Sequence, residues 1–165
     1  MKLKSSLRGY SLTELMIVIT LIGLFAMVTP PAFQRINARS QGSMFMNDMR
    51  VFAEAFNRHA QERGSFPADQ TTPSQVPAGM AAYFRQDVWL RMSPLGGTYE
   101  WDNKDAVNNL GVTLNAAIKV QGCTWTMAQL QELDRRFDDG DLTTGNLVVT
   151  DAGTTVVYVI ERTAP

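Results

Sequence analysis

The sequence predicts an α+β fold in which one long N-terminal helix packs on a small, mainly antiparallel sheet. Three observations lead there. An apolar run, Leu15 to Gln34, is followed by an amphipathic stretch from Ser43 to Glu62. The segment Val112 to Gln121 alternates apolar and polar residues with period two, the pattern of a half-buried strand. Two further strand-like runs, Leu147 to Thr150 and Thr155 to Ile160, flank Asp151-Ala152-Gly153, which reads as a short hairpin loop.

The helix begins after a short basic leader, Met1 to Gly9, that carries Lys2, Lys4 and Arg8. One carboxylate, Glu14, stands at the head of the 20 uncharged residues Leu15 to Gln34. A helix of that length spans roughly 30 Å, the thickness of a bilayer core, so the N-terminus is expected to be membrane-inserted. A carboxylate in such a segment costs roughly 2.5 to 3.5 kcal/mol and calls for a cation. A secretory signal peptide would share the basic start and apolar stretch. It fits less well, because the run is too long, Glu14 interrupts its entrance, and Met27 to Ala32 lacks a small-x-small cleavage site.

The residues Gly9-Tyr10-Ser11-Leu12-Thr13-Glu14, followed by Leu15-Met16-Ile17-Val18-Ile19, resemble the class III signal of type IV pilins and type II secretion pseudopilins. The shared pattern is a basic leader, a glycine, an aromatic residue and a glutamate fifth after the scissile bond. Tyr10 stands where Phe is commonest, and Thr13 where Ile is common. The resemblance implies that a prepilin peptidase cuts between Gly9 and Tyr10 and methylates the new amino group of Tyr10. It also implies a single-pass protein of the bacterial inner membrane with a periplasmic C-terminal domain. From there the chain would pass, through an inner membrane assembly platform, into a pseudopilus or pilus built with other pilin or pseudopilin subunits. On elementary grounds the new amine is the cation that Glu14 lacks. Within one subunit the two groups are a helical turn apart; in a filament the amine of one subunit could reach Glu14 of the next, making Glu14 an assembly residue.

The implied organisation is a cleaved leader over 1–9, a transmembrane part of the stem helix over 10–34, an amphipathic stem over 35–63 and a globular pilin-like domain over 64–165. Pro30 and Pro31 lack an N–H and are expected to soften the helix, with Gly23 and Gly42 as further soft points. The resemblance assigns local unwinding of the stem to such a proline, Pro31 matching best. Phe45, Met49, Phe52 and Phe56 form one apolar stripe, with Asp48, Arg50, Glu54, Asn57 and Arg58 on the remainder. Gly64 ends the helix, and Gly64 to Gly79, with Pro67, Pro73 and Pro77, is expected to be an irregular surface loop. A helical segment is expected over Met80 to Leu90, then a Ser93 to Gly97 turn that launches a strand through Thr98 to Trp101. In the strand Val112 to Gln121, the residues Val112, Leu114, Ala116, Ile118 and Val120 should face the stem. Thr126 and Gln129 make a capping box for a helix with apolar face Met127, Leu130, Leu133 and Phe137, stopped by Gly140. Apolar residues on both faces of Thr155 to Ile160 place that strand inside the sheet.

Composition narrows the function. The 165 residues, 45% hydrophobic, suffice for one compact domain beyond the stem. Removing the leader leaves twelve basic against sixteen acidic residues, a net charge of −4, which gives no reason to expect nucleic acid as a partner. The single cysteine, Cys123, rules out an internal disulfide and reads as a small buried side chain. His59 is expected to be a polar surface residue. No nucleophile-base set, phosphate loop or Cys/His metal spacing occurs, so an enzyme is not expected. Asp138-Asp139-Gly140-Asp141 is the one cluster that could hold chemistry. Carboxylates oppose the helix dipole there, and oxygen ligands on a glycine-kinked loop suit calcium, although the spacing is not that of an EF-hand. The alternative is a solvated acidic turn. Pseudopilins of the major class bind calcium in a C-terminal loop, so the resemblance points the same way.

The expected function is a structural filament subunit. A type II secretion pseudopilin supporting protein export is preferred for the Gly64 to Pro67 turn, the absent disulfide and the compact C-terminal hairpin. A type IV (minor) pilin is the alternative, and a membrane-anchored extracytoplasmic binding domain a more distant one.

Overall fold

The structure, a computed structural model, describes residues 9–70, 72–103, 106–107 and 112–162, without the side chains of 27–35, 106–107 and 112–113. Met1 to Arg8 of the leader, and the side chains of Pro30 and Pro31, therefore lie outside the described residues. The chain forms two compact units, one up to Ala38 and one from Arg39, each described by itself.

Helix α1 (Leu12–Arg63) contributes to both. In the first unit its described apolar residues, Leu15 to Phe25 among them, are exposed. Among the described residues no helix is long and apolar enough to cross a membrane; the side chains of positions 27–34 of the predicted span lie outside those residues. Gly23 lies in open surroundings, with nothing near enough to meet an added Cβ.

In the second unit α1 buries the expected stripe, Phe45, Met49, Phe52 and Phe56, each at most 1% exposed. The strands β1 (Thr98–Asp102), β2 (Ala106–Val107), β3 (Val112–Gln121), β4 (Leu147–Thr150) and β5 (Thr155–Arg162) pair antiparallel in the order β1-β3-β5-β4, with β2 on the start of β3. Phe56 stacks flat on Trp101 at 3.8 Å, and Phe52 meets Tyr99 edge-on at 5.2 Å, so the stripe packs on β1. Aromatic pairs of this kind add roughly 0.5 to 1.5 kcal/mol beyond the area they bury. As its two-sided apolar pattern requires, β5 is interior. The sheet thus lies against a helix, the α+β arrangement anticipated above.

Several expectations are corrected. The register of β3 shifts between Leu114 and Ala117, where an irregularity interrupts its pairing with β5. Such a shift reverses which face each residue takes. Ala116, Ile118 and Val120 face α1, but Leu114 joins Ala117, Val148, Val157 and Val159 in a second buried cluster. The helix expected over Met80 to Leu90 is reduced to α2 (Gln86–Leu90), preceded by turns. Asp48, assigned to the polar face, is buried: Arg91 donates to its Oδ2 at 2.6 Å and the Tyr99 hydroxyl at 3.0 Å. His59 is also buried, its Nδ1 3.2 Å from the Ser65 carbonyl. Gly42 is a contact point, since an added Cβ would sit 2.8 Å from Leu133 Cδ1.

The 64–79 segment is irregular but anchored. Trp101 Nε1 donates to the Pro67 carbonyl at 3.2 Å and Trp89 Nε1 to that of Gln75 at 2.6 Å, so two buried indoles satisfy their N–H groups on loop backbone. Gly97, at φ +72°, admits no other residue, because a Cβ there would lie 2.0 Å from the Gln121 carbonyl oxygen. Helix α3 (Met127–Phe137) carries the predicted capping box from Thr126 and Gln129. It buries Leu130 and Leu133, while Met127 stays 48% exposed. Cys123 is buried between β3 and α3, its thiol 3.5 Å from the Leu95 carbonyl, and burial pushes its pKa up.

Candidate functional site

The first place where chemistry gathers is the start of α1. Gly9, Tyr10 and Ser11 precede the helix in open chain, and Tyr10 is 82% exposed. The Ser11 carbonyl accepts the first helical bond, from Leu15 N at 3.1 Å. Glu14 reaches back so that its Oε2 lies 3.5 Å from the Ser11 N–H, half of a capping box. The glutamate therefore helps to cap its own helix while its carboxylate remains exposed and one turn from Tyr10. An added Cβ at Gly9 would meet nothing within 4 Å, so the bond between Gly9 and Tyr10 lies in open, unobstructed chain.

The second place is the turn after α3. Asp138 caps the helix, its N–H donating to the Asp134 carbonyl at 2.7 Å and its Oδ2 accepting from Leu147 N at 2.7 Å. Asp139 Oδ2 accepts from the Thr144 hydroxyl at 2.7 Å, and Asp141 Oδ1 from Thr143 N at 3.0 Å and the Thr143 hydroxyl at 2.7 Å. These bonds, the hydroxyl donors foremost, hold both carboxyls below the ordinary carboxylate range. Asp134 differs. It is fully buried and neither carboxylate oxygen accepts a well-formed hydrogen bond. Burial, then the charges of Asp138 and Asp139, push its pKa to about 6 against the opposing Gly140 N–H. Asp134, Asp138 and Asp139 each offer an oxygen within 4.8 Å of the others. Three carboxylates at that spacing, one without a well-formed hydrogen bond, have the chemistry of a hard-cation site, while Asp141 is committed to Thr143.

Comparison with known proteins follows the same line. Over 80 residues the chain is 39% identical to the fimbrial protein EcpC of Eikenella corrodens, covering 48% of this chain and 49% of the relative. It is 29% identical over 135 residues to the type IV major fimbrial protein FimA of Dichelobacter nodosus, covering 77% and 86%. It is 25% identical over 107 residues to the type II secretion system core protein G of Klebsiella michiganensis, covering 59% and 74%. The chain is pilin-like. Its match thus spans about half the length of the first of these relatives and more of the other two. No family model matches it, and no solved structure matches significantly.

In this pilin-like chain the expected site residues, apart from the helix-softening Gly23, Pro30 and Pro31 taken up above, fall into two groups. Gly9, Tyr10 and Glu14 lie together at the head of α1. Asp138, Asp139 and Asp141 share the turn after α3, yet the acid that joins the first two is Asp134. Sequence reasoning passed over it. The available signal was its spacing, four residues after Leu130 and three before Phe137, which sets a carboxylate on the apolar face of α3.

Proposed function

We propose that this pilin-like chain is a non-enzymatic structural subunit of a pilus-like filament. It is made as a precursor held in the inner membrane by residues 10–34, with the domain from Arg39 onward in the periplasm. A prepilin peptidase cuts between Gly9 and Tyr10, and the amine released is methylated. The observation that carries this reading is the first turn of α1. An exposed carboxylate, Glu14, engaged within its own chain by the Ser11 N–H, stands one turn from the cleavage point, at the head of a helix whose large apolar residues from Leu12 to Phe25 are exposed. Such a surface needs lipid or neighbouring stems, and such a carboxylate needs a cation. Subunits stacked in register at an assembly platform supply both.

The test is the intact mass and N-terminal sequence of the protein from its native membrane. A chain that starts at N-methyl-Tyr10 is expected; an unprocessed start, or a cut after Ala32, would return the protein to the anchored or secreted domains.

Within this class the chain is read as a type II secretion pseudopilin, which rests on the single buried cysteine and the short β4–β5 connection. The greater identity to two fimbrial proteins favours the second reading, a type IV pilin. Deleting the protein separates them: lost export of secreted enzymes with intact surface fibres supports the first, lost fibres with intact export the second.

Calcium is proposed at Asp138 and Asp139 with Asp134, and Asp141 bracing the turn. The fit rests on the buried Asp134 oxygens, neither of which accepts a well-formed hydrogen bond. Bound there, the ion would offset two of the three neighbouring carboxylate charges and hold the end of α3 to the turn that follows it. At calcium 100-fold above its Kd, stabilisation of about 2.7 kcal/mol is expected, read as a rise in Tm that chelator reverses. No shift at millimolar calcium would leave the turn a solvated acidic loop.

A further inference from the structure

On the second unit an open cavity of about 330 Å³ is lined by Arg39 of α1 and by Glu132, Arg135 and Arg136 of α3. Three arginines and one glutamate thus share its lining. Glu132 engages Arg39 alone, at 3.8 Å, with both side chains well over half exposed. A pair so open to water is weak. Arg136 is steadied by its own neighbour, with Cζ 5.1 Å from the Phe137 ring centroid. The cleft therefore carries a net charge of about +2 in an orientation set by two separate helices. Planar guanidinium groups recognise phosphate oxygens through paired hydrogen bonds.

The cleft's location selects the phosphate. Arg39 is the first residue of its unit and follows the apolar run by five residues along the chain. The acidic turn of a second copy is the competing occupant, and the self-association outcome below tells it apart.

We infer that the Arg39, Arg135 and Arg136 cleft binds the phosphate headgroup of an anionic phospholipid at the surface of the membrane that holds the subunit. This rests on the reading of residues 10–34 as membrane-inserted. Lipid held there would keep an unassembled subunit seated on the bilayer, and extraction into a filament would require its release.

The test titrates the full chain, in neutral-detergent micelles at low salt, with dioctanoyl phosphatidylglycerol, dioctanoyl phosphatidylcholine and inorganic phosphate. Saturable binding of phosphatidylglycerol is expected, weakened about five-fold by each of Arg39→Gln, Arg135→Gln and Arg136→Gln, and by added salt. Arg136→Lys, which keeps the charge but not the paired geometry, should recover part of the loss, which a merely structural role would not predict. All three arginines are exposed, and an unchanged circular dichroism spectrum checks that each variant folds. Equal binding of phosphatidylcholine would overturn the proposal, as would phosphate binding as tightly as the lipid, which would mark a free-anion site. Self-association that the glutamine variants weaken, without lipid binding, would assign the cleft to a second copy instead. A micelle-bound chain that takes up no phosphatidylglycerol would refute the cleft while leaving the membrane reading intact. A chain monodisperse without detergent would refute both.

Discussion

Glu14 has two possible employments that one substitution can separate. Within the chain it reaches back to the Ser11 N–H, a bond a glutamine can also make. Pairing with the Tyr10 amine of a neighbour needs the charge. Glu14→Ala and Glu14→Gln are therefore both expected to leave processing and insertion intact and to impair assembly alike. Normal filaments from Glu14→Gln, seen by electron microscopy, would reduce Glu14 to a helix cap. Asp134 poses a question of protonation. Its pKa is raised from 3.8 to about 6, so the folded state holds the proton more tightly than the unfolded one. Its contribution to stability is fully present below pH 3.8 and is lost as pH rises through about 6. Asp139 and Asp141, with depressed values, act in the opposite sense and lose their contribution as pH falls. In chelator, the wild type should thus lose stability relative to Asp134→Asn as pH climbs from about 4 to about 7. A difference in Tm that does not change with pH would mean that Asp134 titrates normally.

Among the connections, the β4–β5 turn stores strain. Asp151 and Ala152 both adopt positive φ, +52° and +55°, before Gly153. A residue with a Cβ pays roughly 1 to 2 kcal/mol in that region, whereas glycine does not. After allowing for the greater freedom of glycine in the unfolded chain, Ala152→Gly is expected to stabilise by up to about 1 kcal/mol. Urea denaturation reads this directly, and a loss of stability would show that the turn relaxes in solution. Helix α3 explains why its own reading was incomplete. Thr126 and Gln129 announced its start through a local rule, and the structure keeps both bonds. Its burial depended on partners far away in sequence, so Met127 stayed exposed and Asp134 went inside.

From Arg39 onward, one cluster joins α1, the 64–97 connection, the sheet and α3. Phe56 is at its centre, fully buried and stacked on Trp101. Phe56→Ala should cost about 3 to 5 kcal/mol, the range for deleting a large core ring. Because helix and sheet share this core, far-ultraviolet circular dichroism and tryptophan fluorescence should report one coincident transition at a lower midpoint. Separate transitions would show that the stem segment and the sheet are held independently.

Local, periodic features were legible in the sequence: the 45-49-52-56 stripe, the β3 alternation, the α3 cap, the 151–153 connection and the interior position of β5. Each depends on spacing along the chain, so neighbouring residues suffice to write it. Only the folded chain decided that Leu114 changes face, that Asp48 and His59 are buried, that Gly42 takes a close contact from Leu133 and that Asp134 joins the acidic turn. The reason is common to all of them. A register shift and a polar group finding its partner are set by groups that meet across the fold, and periodicity records no such meeting. Helical spacing placed Asp134 on the apolar face of α3, but its loss of water was decided by what packs over that face.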